Sequence, residues 1–367
     1  MQYTPSCSER VRPVLVLTAI FSLAALFTGV AAGSIAVTPV QIVEVIAARI
    51  TGAQAAVPAH IESIVWNLRL PRVLLAWLVG AALAVSGAVM QSLLRNPLAS
   101  SFTLGVSAGA SLGAAFFMMA PALFAGPLAS PFSAVLASAL SVYSSVLGPL
   151  ALPLAGFTGS LIAMFIVVRF SSLIDPRLSG TVIILCGMVL SLFASALLTL
   201  FSALAREEMT RLLFWQMGSF ALKGWTAVTI LAPLTAAGLI LVWIFTRELD
   251  ILTFGEEEAR SLGVAVQPIK KLLIALTSIL TGCAIAFAGV IGFLDLVIPH
   301  SMRRLTGPAH RLLVPASALA GGGFMVLADL AARILIPTLE LPVGAITAII
   351  GAPVFAWIFL ASRRGHA

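Results

Sequence analysis

Long apolar runs recur along the whole chain, and only short polar stretches separate them. Hydrophobic residues make up 60% of the 367 residues and charged residues 10%, whereas about 25% of the residues of a soluble domain are charged. In lipid the backbone must satisfy its own hydrogen bonds, and long runs without period-two alternation favour helices over a barrel. The sequence therefore predicts an all-α, multi-pass membrane protein with a single transmembrane domain over residues 1–367.

The apolar runs predict about ten transmembrane helices, because about 20 residues cross the hydrocarbon core. The expected spans lie near residues 14–33, 73–94, 103–120, 149–169, 180–203, 226–246, 272–289, 292–302, 312–332 and 342–361. The eighth run is too short to cross alone, and we expect it to combine with neighbouring backbone inside the bundle. The stretch 121–148 is ambiguous: it is either an outer loop with a partly inserted helix or an additional span.

The distribution of basic residues predicts the orientation. With both termini in the cytoplasm, 14 Lys and Arg residues fall on the inner side and 7 on the outer side, as the positive-inside rule requires. The formal net charge of +7 therefore reflects membrane topology. The basic residues are scattered singly, so we expect no nucleic-acid partner. Arg10 and Arg12 before the first run also fit a signal peptide, but the length of that run favours a transmembrane helix.

The residues that an enzyme or an independent pump would need are absent from the sequence. No Gly-Lys dipeptide occurs, which excludes the GxxxxGK[ST] phosphate-binding loop. Asp295 and Asp329 are the only acidic residues inside the expected spans. The three cysteines show no metal-ligand spacing, and His300 and His310 have no carboxylate or cysteine nearby. We therefore expect no catalytic residue, no metal site and no cofactor bound by this chain.

Three blocks of sequence carry a family resemblance. Residues 69–113 contain RLPR, GAALAVSGAVMQ, NPLA and LGVSAGASLG; residues 214–220 read FWQMGSF; residues 259–361 contain ARSLGV, AGVIGFLDLVIPHSMRR, ALAGGGFMVLADLAAR and ELPVGAITAIIGAPVF. Together they resemble the permease subunits of type II ABC importers for vitamin B12, iron-siderophores and haem. The resemblance implies a homodimer of ten-helix subunits in the bacterial inner membrane. It also implies two ATP-binding cassette subunits that use ATP and Mg, and a periplasmic substrate-binding protein.

The resemblance assigns Arg69, Arg72 and Arg333 to docking of the binding protein, where guanidinium groups would pair with carboxylates. Pro71 favours the first turn of a helix, so we expect the RLPR element to hold both of its arginines at the water boundary. Snorkelling of these arginines toward headgroups is the alternative. Arg333 could also pair with Asp329 or Glu340 inside the chain.

The longest polar segment, 247–271, is expected on the cytoplasmic side. Three glutamates after Gly255 would begin a short helix, because negative charge complements a helix N-terminus, and Gly263 can end it. The resemblance makes this helix the coupling element that contacts the ATPase; a solvated loop is the alternative. The coupling residues are Glu256, Glu257, Glu258, Ala259, Arg260, Ser261, Leu262 and Gly263.

Ser191, Ser195 and Thr199 recur every four residues, so their hydroxyls share one helix face. The resemblance places this helix along the translocation path at the dimer axis. These hydroxyls could instead bond to the backbone or to neighbouring helices. Asp295 departs from the family pattern, which has glycine there, and it could be structural or take part in transport.

The function implied is that of a permease subunit moving a bulky metal chelate from periplasm to cytoplasm, driven by ATP hydrolysis in a separate subunit. Haem is the first candidate, with a ferric siderophore or cobalamin next. An ion-gradient-driven secondary transporter is the alternative, and a membrane scaffold without transport activity comes third.

Overall fold

The computed structural model describes residues 7–33, 35–53, 57–125, 130–336 and 339–364, and the regular structure within those ranges is helical throughout. The helices are α1 (Cys7–Ala31), α2 (Pro39–Thr51), α3 (Ala59–Ser63), α4 (Leu70–Leu93), α5 (Val106–Ala125), α6 (Pro131–Leu147), α7 (Ala151–Ile174), α8 (Gly180–Leu204), α9 (Arg206–Gln216), α10 (Gly224–Ile244), α11 (Thr246–Phe254), α12 (Glu256–Ser261), α13 (Val266–Ala288), α14 (Leu294–Thr306), α15 (His310–Ile334) and α16 (Val343–Arg364). This architecture confirms the all-α prediction.

Each of the ten expected spans corresponds to a helix: α1, α4, α5, α7, α8, α10, α13, α14, α15 and α16. Seven helical stretches are long and apolar enough to cross a membrane, and α5 and α16 contain shorter apolar helices. Helix α14 has 13 residues, fewer than the about 20 needed for a crossing. The helix count therefore agrees with the prediction, including the short eighth element.

The ambiguous stretch 121–148 contains helix α6, of 17 residues. Residues 126–129, which connect it to α5, lie outside the described part of the chain. The apolar sequence of α6 continues into α7, so that Ala134–Ile174 forms one long apolar stretch. A helical element therefore occupies this stretch.

Several short helices that were not predicted lie between the spans. Helix α2 is a clear case, because its local signals were present: Thr38 and Gln41 form a capping box, and Gly52 ends the helix in the left-handed region at φ 73°. This combination is a known signature of a helix start and stop. With 13 residues, α2 is too short to span the membrane, so apolar runs of transmembrane length do not predict it.

The chain enters α4 through a π-helical turn, Ile64–Arg69. The Leu70 amide donates to the Val65 carbonyl oxygen, five residues back, and Pro71 follows. A proline has no amide hydrogen to donate. The π-helical turn beside Pro71 changes the hydrogen-bond pattern of the helix from four to five residues at this point. The helical path already begins at Ala59, so the expectation that Pro71 marks its first turn is wrong.

The structure divides into two compact units. Unit 1 comprises Met1–Ala88, Ser219–Ile251 and Ile291–Ala367, and unit 2 comprises Val89–Gly218 and Leu252–Val290. The single-domain organisation stays a prediction.

In unit 1, helix α15 packs against α1 and α4 through glycines. A Cβ on Gly80 would collide with the Gly321 carbonyl, and one on Gly322 would lie 2.5 Å from Trp77 Nε1. Trp77 Nε1 donates to Ser22 Oγ at 2.6 Å. The small residues at this crossing therefore allow close helix packing, as is common in membranes.

In unit 2, the same device joins α5 to α7. A Cβ on Gly159 would collide with the Gly109 carbonyl oxygen and lie 2.9 Å from Gly113 Cα. These two α5 glycines therefore form a packing face toward α7. Gly105 does not belong to this face: it precedes α5, has φ +76° and lies near α8.

We expect Gly159→Ala to lower the free energy of unfolding by about 1–3 kcal/mol, because the added methyl group forces α5 and α7 apart. Gly156→Ala on the same helix is the matched control. Its Cβ would lie 3.4 Å from Trp215, an ordinary contact, and alanine favours a helix over glycine. Thermal unfolding of the purified variants in detergent measures the difference. Equal melting temperatures for the two variants would contradict this account.

Candidate functional site

The RLPR element brings charged side chains together at one end of unit 1. We define the arginine cluster as Arg69, Arg72, Asp329, Arg333 and Glu340. The residues come from the start of α4, the last turns of α15 and the segment before α16. All three arginines assigned to docking by the resemblance therefore lie in one place.

Arg69 is buried, with 7% of the residue exposed. Its Nη1 donates to the carbonyl oxygens of Val30 at 2.9 Å and Ala31 at 3.0 Å, and its Nη2 donates to that of Ile35. The last carbonyls of a helix have no partner within it, and α1 ends here. A Cβ on Gly33 would lie 2.6 Å from Arg69 Nη2, so glycine leaves room for the guanidinium. Arg69 is therefore buried within unit 1, and its position at the water boundary stays a prediction.

Arg72 binds two carboxylates at once. Its Nε and Nη2 donate to Asp329 Oδ1 at 3.0 and 2.9 Å, and its Nη1 donates to Glu340 Oε1 at 2.9 Å. The Asp329 side chain is 1% exposed and the Glu340 side chain 54%. The planar, forked guanidinium makes this double contact possible. Arg72 therefore links a buried carboxylate to one at the surface.

Arg333 lies one helical turn after Asp329 and shares that carboxylate, with 3.1 Å between Arg333 Nε and Asp329 Oδ2. Its Nη2 also donates to the Gly29 carbonyl oxygen at 2.9 Å. The structure thus shows the internal pairing with Asp329 that the sequence left open as an alternative. The docking role of the three arginines stays a prediction.

The polar segment 247–271 folds into α11, α12 and the start of α13. Helix α12 begins after Gly255, which has φ 140°, and its first turn holds Glu256, Glu257 and Glu258. At its end, Gly263 N–H donates to the Arg260 carbonyl and Val264 N–H to the Ala259 carbonyl, at 3.0 and 2.9 Å. This pair of bonds is a Schellman motif. The expected helix over Glu256–Ser261, ended by Gly263, is therefore present.

The buried Lys270 of α13 anchors α12 within unit 2. Its Nζ lies 2.7 Å from Glu256 Oε1 and donates to the Leu178 carbonyl oxygen at 2.5 Å and that of Arg177 at 3.3 Å. Only 2% of the Lys270 side chain is exposed. One ammonium group thus joins α12, α13 and the connection between α7 and α8. This role of Lys270 was not predicted, because a lysine beside Lys271 at the start of an apolar run is typical of a charge at the membrane boundary.

A polar groove of about 630 Å³ adjoins α12. Hydrogen bonds from the Ser179 hydroxyl and from the amides of Arg177 and Ser179 lower the pKa of Asp175 from its ordinary value, so this carboxylate is ionised at neutral pH. The groove is lined by Arg95, Asp175, Arg177, Ser179, Gly255, Glu256, Glu257, Glu258 and Arg260. Both signs of charge therefore face this groove.

The hydroxyl stripe of α8 lies on a helix with many exposed apolar residues. Ser191 Oγ donates to the Gly187 carbonyl oxygen at 2.8 Å, and Thr199 Oγ1 donates to that of Ser195 at 2.9 Å. These two hydroxyl hydrogens are therefore used by the helix backbone. Ser195 and Thr199 are exposed, and lining of a path stays a prediction.

Asp295 is 2% exposed in the first turn of α14. Phe293, before that helix, adopts a left-handed conformation at φ 69°, and a Cβ on Gly87 would collide with the Asp295 carbonyl oxygen. Glycine at position 87 therefore lets α4 approach the start of α14 closely. The role of the Asp295 side chain stays open between structure and transport.

His310 has a carboxylate partner, contrary to our expectation. Its Nδ1 lies 2.6 Å from Asp250 Oδ1, and its backbone amide donates to the same oxygen at 2.9 Å. The partner is 60 residues away in sequence, which is why inspection of the neighbouring residues missed it. Among the described residues, no group of three or more His, Cys, Asp or Glu side chains could hold a metal ion.

Comparison with known proteins shows what these features belong to. Residues 17–361 match the FecCD transport family. The chain is therefore a member of the FecCD family. This match covers all three sequence blocks, and it confirms the resemblance to permease subunits of type II ABC importers.

Relatives of this FecCD permease include transporter subunits from bacteria and an archaeon. YvrB of Bacillus subtilis, an uncharacterized ABC transporter permease, is 42% identical over 303 residues, or 83% of this chain and 80% of YvrB. The vitamin B12 import system permease BtuC of Escherichia coli is 38% identical over 306 residues, or 83% of this chain and 85% of BtuC. The cobalamin import system permease BtuC of Halobacterium salinarum is 36% identical over 305 residues, or 83% of this chain and 75% of that BtuC.

A solved structure described as a metal-chelate type ABC transporter in an inward-facing conformation has the same fold as the FecCD permease. The TM-score is 0.75 at 27% identity, over 95% of this chain and 99% of the other. Sequence and structure thus agree on a permease subunit of a type II ABC importer.

Asp329→Asn in the FecCD permease should lower the free energy of unfolding by about 3–5 kcal/mol, because two buried guanidinium groups lose their shared carboxylate. Glu340→Gln removes the other partner of Arg72 and serves as the control. Since Glu340 is half exposed, its loss should cost less than about 1 kcal/mol. Denaturant titration in detergent micelles compares the variants, and equal losses would refute the central role of Asp329.

Lys270→Met should release α12 and expose its amides, because Glu256 and two carbonyl groups lose their common donor. We expect hydrogen exchange over residues 255–264 to accelerate about tenfold or more, since hydrogen bonds to charged groups contribute ~1.5–3 kcal/mol each. Lys271→Met removes the same charge from an exposed neighbour and should leave the exchange unchanged. Mass spectrometry of deuterated peptides reads both, and unchanged exchange in Lys270→Met would contradict the anchoring role.

Proposed function

We propose that this FecCD permease moves a bulky metal chelate across the bacterial inner membrane into the cytoplasm, driven by ATP hydrolysis in separate subunits. The observation that carries the proposal is the fold shared with a metal-chelate type ABC transporter over 95% of this chain. The absence of a Gly-Lys dipeptide from the sequence supports an external source of energy.

Cobalamin becomes the first substrate to test. Two of the relatives above are named for vitamin B12 or cobalamin import, whereas haem and ferric siderophores rest on the sequence resemblance alone. We keep haem and ferric siderophores as the next candidates. Cobalamin, haem and ferric siderophores are all large chelates, so the same path could serve each of them.

The proposed assembly contains a second copy of this chain, two ATP-binding cassette subunits and a periplasmic substrate-binding protein. We propose that Ser191, Ser195 and Thr199 face the path at the two-fold axis. Ser195 and Thr199 are exposed in the isolated chain, which leaves them available to such a path. Their weakly polar surface would let a large chelate pass without binding it strongly.

Helix α12 is the proposed contact for the ATPase. Large apolar side chains flank it in the exposed polar segment: Phe254 is 76% exposed and Leu262 66% exposed. Both lie outside the candidate membrane spans, so lipid does not account for their exposure. Exposed apolar groups with a charged surround are typical of interaction surfaces. Lys270 anchors α12 through its contact with Glu256.

The arginine cluster is the proposed docking face for the binding protein. Arg72 and Arg333 pair with its two carboxylates, while Arg69 binds carbonyl oxygens, so the cluster has an excess positive charge suited to an acidic partner. Arg72 would make the contact, since its exposed carboxylate partner Glu340 occupies the place that a carboxylate of the docking protein would take. Arg69 and Arg333 would support this docking face from the interior of the chain, because both donate hydrogen bonds to carbonyl oxygens near the end of α1.

Reconstitution tests the proposed function. In proteoliposomes we expect labelled cobalamin uptake only when the ATPase, the binding protein, ATP and Mg are all present. Uptake that depends on a proton or sodium gradient without ATP would favour the alternative, a secondary transporter. Absence of uptake under both conditions, with haem and ferric siderophores also tested, would favour a scaffold.

A single substitution separates coupling from folding. Leu262→Asp should weaken ATPase association about thirtyfold, because charging an interface anchor typically costs ~2 kcal/mol or more. Leu222→Asp is the matched control: Leu222 is also exposed, at 94%, but lies far along the chain from α12. Binding of the ATPase to immobilised permease measures both. Similar affinities of the two variants would rule out α12 as the contact.

A further inference from the structure

Four helices of unit 2 line a cavity to which none of the residues assigned to docking, coupling or the path contributes. Helices α5, α6, α7 and α8 border a half-open space of about 670 Å³, a volume within the range of pockets for small organic molecules. Helix α6 contributes Leu136, Ala139, Leu140 and Tyr143. This spacing places the four side chains on one helix face, so a whole face of α6 is turned toward the cavity.

The cavity lining is almost wholly apolar. Among the described lining residues, only Thr158 and Tyr143 carry a hydroxyl group, and both hydroxyls donate to backbone carbonyls, of Ala155 at 3.0 Å and Ala151 at 3.2 Å. None of these described residues has a charged side chain. A cavity of this composition has too few polar partners to hold ordered water, and such cavities take up apolar molecules.

The surroundings of the cavity are also apolar. The sequence has no charged residue between Arg95 and Arg169, a segment that includes α5, α6 and most of α7. Next to the cavity face of α6, Val135, Val142 and Val146 are 67%, 60% and 75% exposed. The opposite face carries the exposed Ser138, Ser141 and Ser145, so α6 is amphipathic with its apolar side toward the cavity. Helix α8 and the stretch from α6 to α7 are candidate membrane spans, so lipid chains border this cavity.

We propose that this cavity binds one acyl chain of a membrane lipid, covered by α6. The hydrocarbon chain matches the lining, since neither a headgroup nor a polar ligand would find charged or free donor groups there. Lipid chains are present wherever α7 and α8 cross the membrane. Binding of such a chain is independent of the identity of the transported chelate.

Photolabelling tests the proposal on the full chain in its native membrane vesicles. The probe is a phosphatidylcholine with a diazirine at the end of one acyl chain. We expect adducts on Leu112 and Leu140, which line the cavity. Ala139→Trp should lower this labelling about tenfold, because the indole ring takes the space of the acyl chain. Ser145→Trp, on the opposite, exposed face of α6, should leave it unchanged.

Other outcomes would overturn the proposal. Labelling of Ser141 and Ser145, on the opposite face of α6, as strong as that of Leu140 would show that bulk lipid around α6 accounts for the adducts. Unchanged labelling in Ala139→Trp would mean that the cavity is not the site. Disulfide formation between two copies of Ala139→Cys would show that a second chain fills the space. If Ala139→Trp fails to accumulate in the membrane, Leu136→Trp from the same face replaces it.

Discussion

In a membrane every backbone amide and carbonyl group needs a hydrogen-bond partner within the protein, and this requirement places the buried cations of the FecCD permease. Arg69 and Arg333 bind carbonyl oxygens around the end of α1. Lys270 does the same for the connection before α8. Each of these side chains therefore completes backbone hydrogen bonding, and Arg333 and Lys270 also contact the carboxylates of Asp329 and Glu256.

Close helix contact is the other condition of the fold. In each unit, glycines remove the side chain where two helices cross, at Gly80 and Gly321 in unit 1 and at Gly109 and Gly159 in unit 2. Backbones then approach until their atoms touch, which gives dispersion attraction between helices that have no hydrophobic driving force in lipid. In unit 2 a cavity borders this contact, since Gly109, Gly113 and Gly159 are among its lining residues.

The features that could be predicted from sequence are local. The apolar runs predicted the helices that correspond to the ten expected spans. Gly255, the three glutamates and Gly263 predicted α12, because helix ends depend on a few neighbouring residues. Pairings across the chain could not be predicted in this way. Arg72 and Asp329 are 257 residues apart and Lys270 and Leu178 are 92 apart. Neither spacing nor residue type specifies such partners, so the burial of Arg69 and the bond between His310 and Asp250 were missed.

The single ammonium group of Lys270 has a mechanical consequence. It ties Glu256 of α12 to the backbone just ahead of α8, while the far end of α12 around Leu262 stays exposed. Helix α12 is thus fixed at one end and exposed at the other. Any displacement of its exposed end would have to be accommodated at the Lys270 nitrogen, and so at the start of α8 and at α13 together.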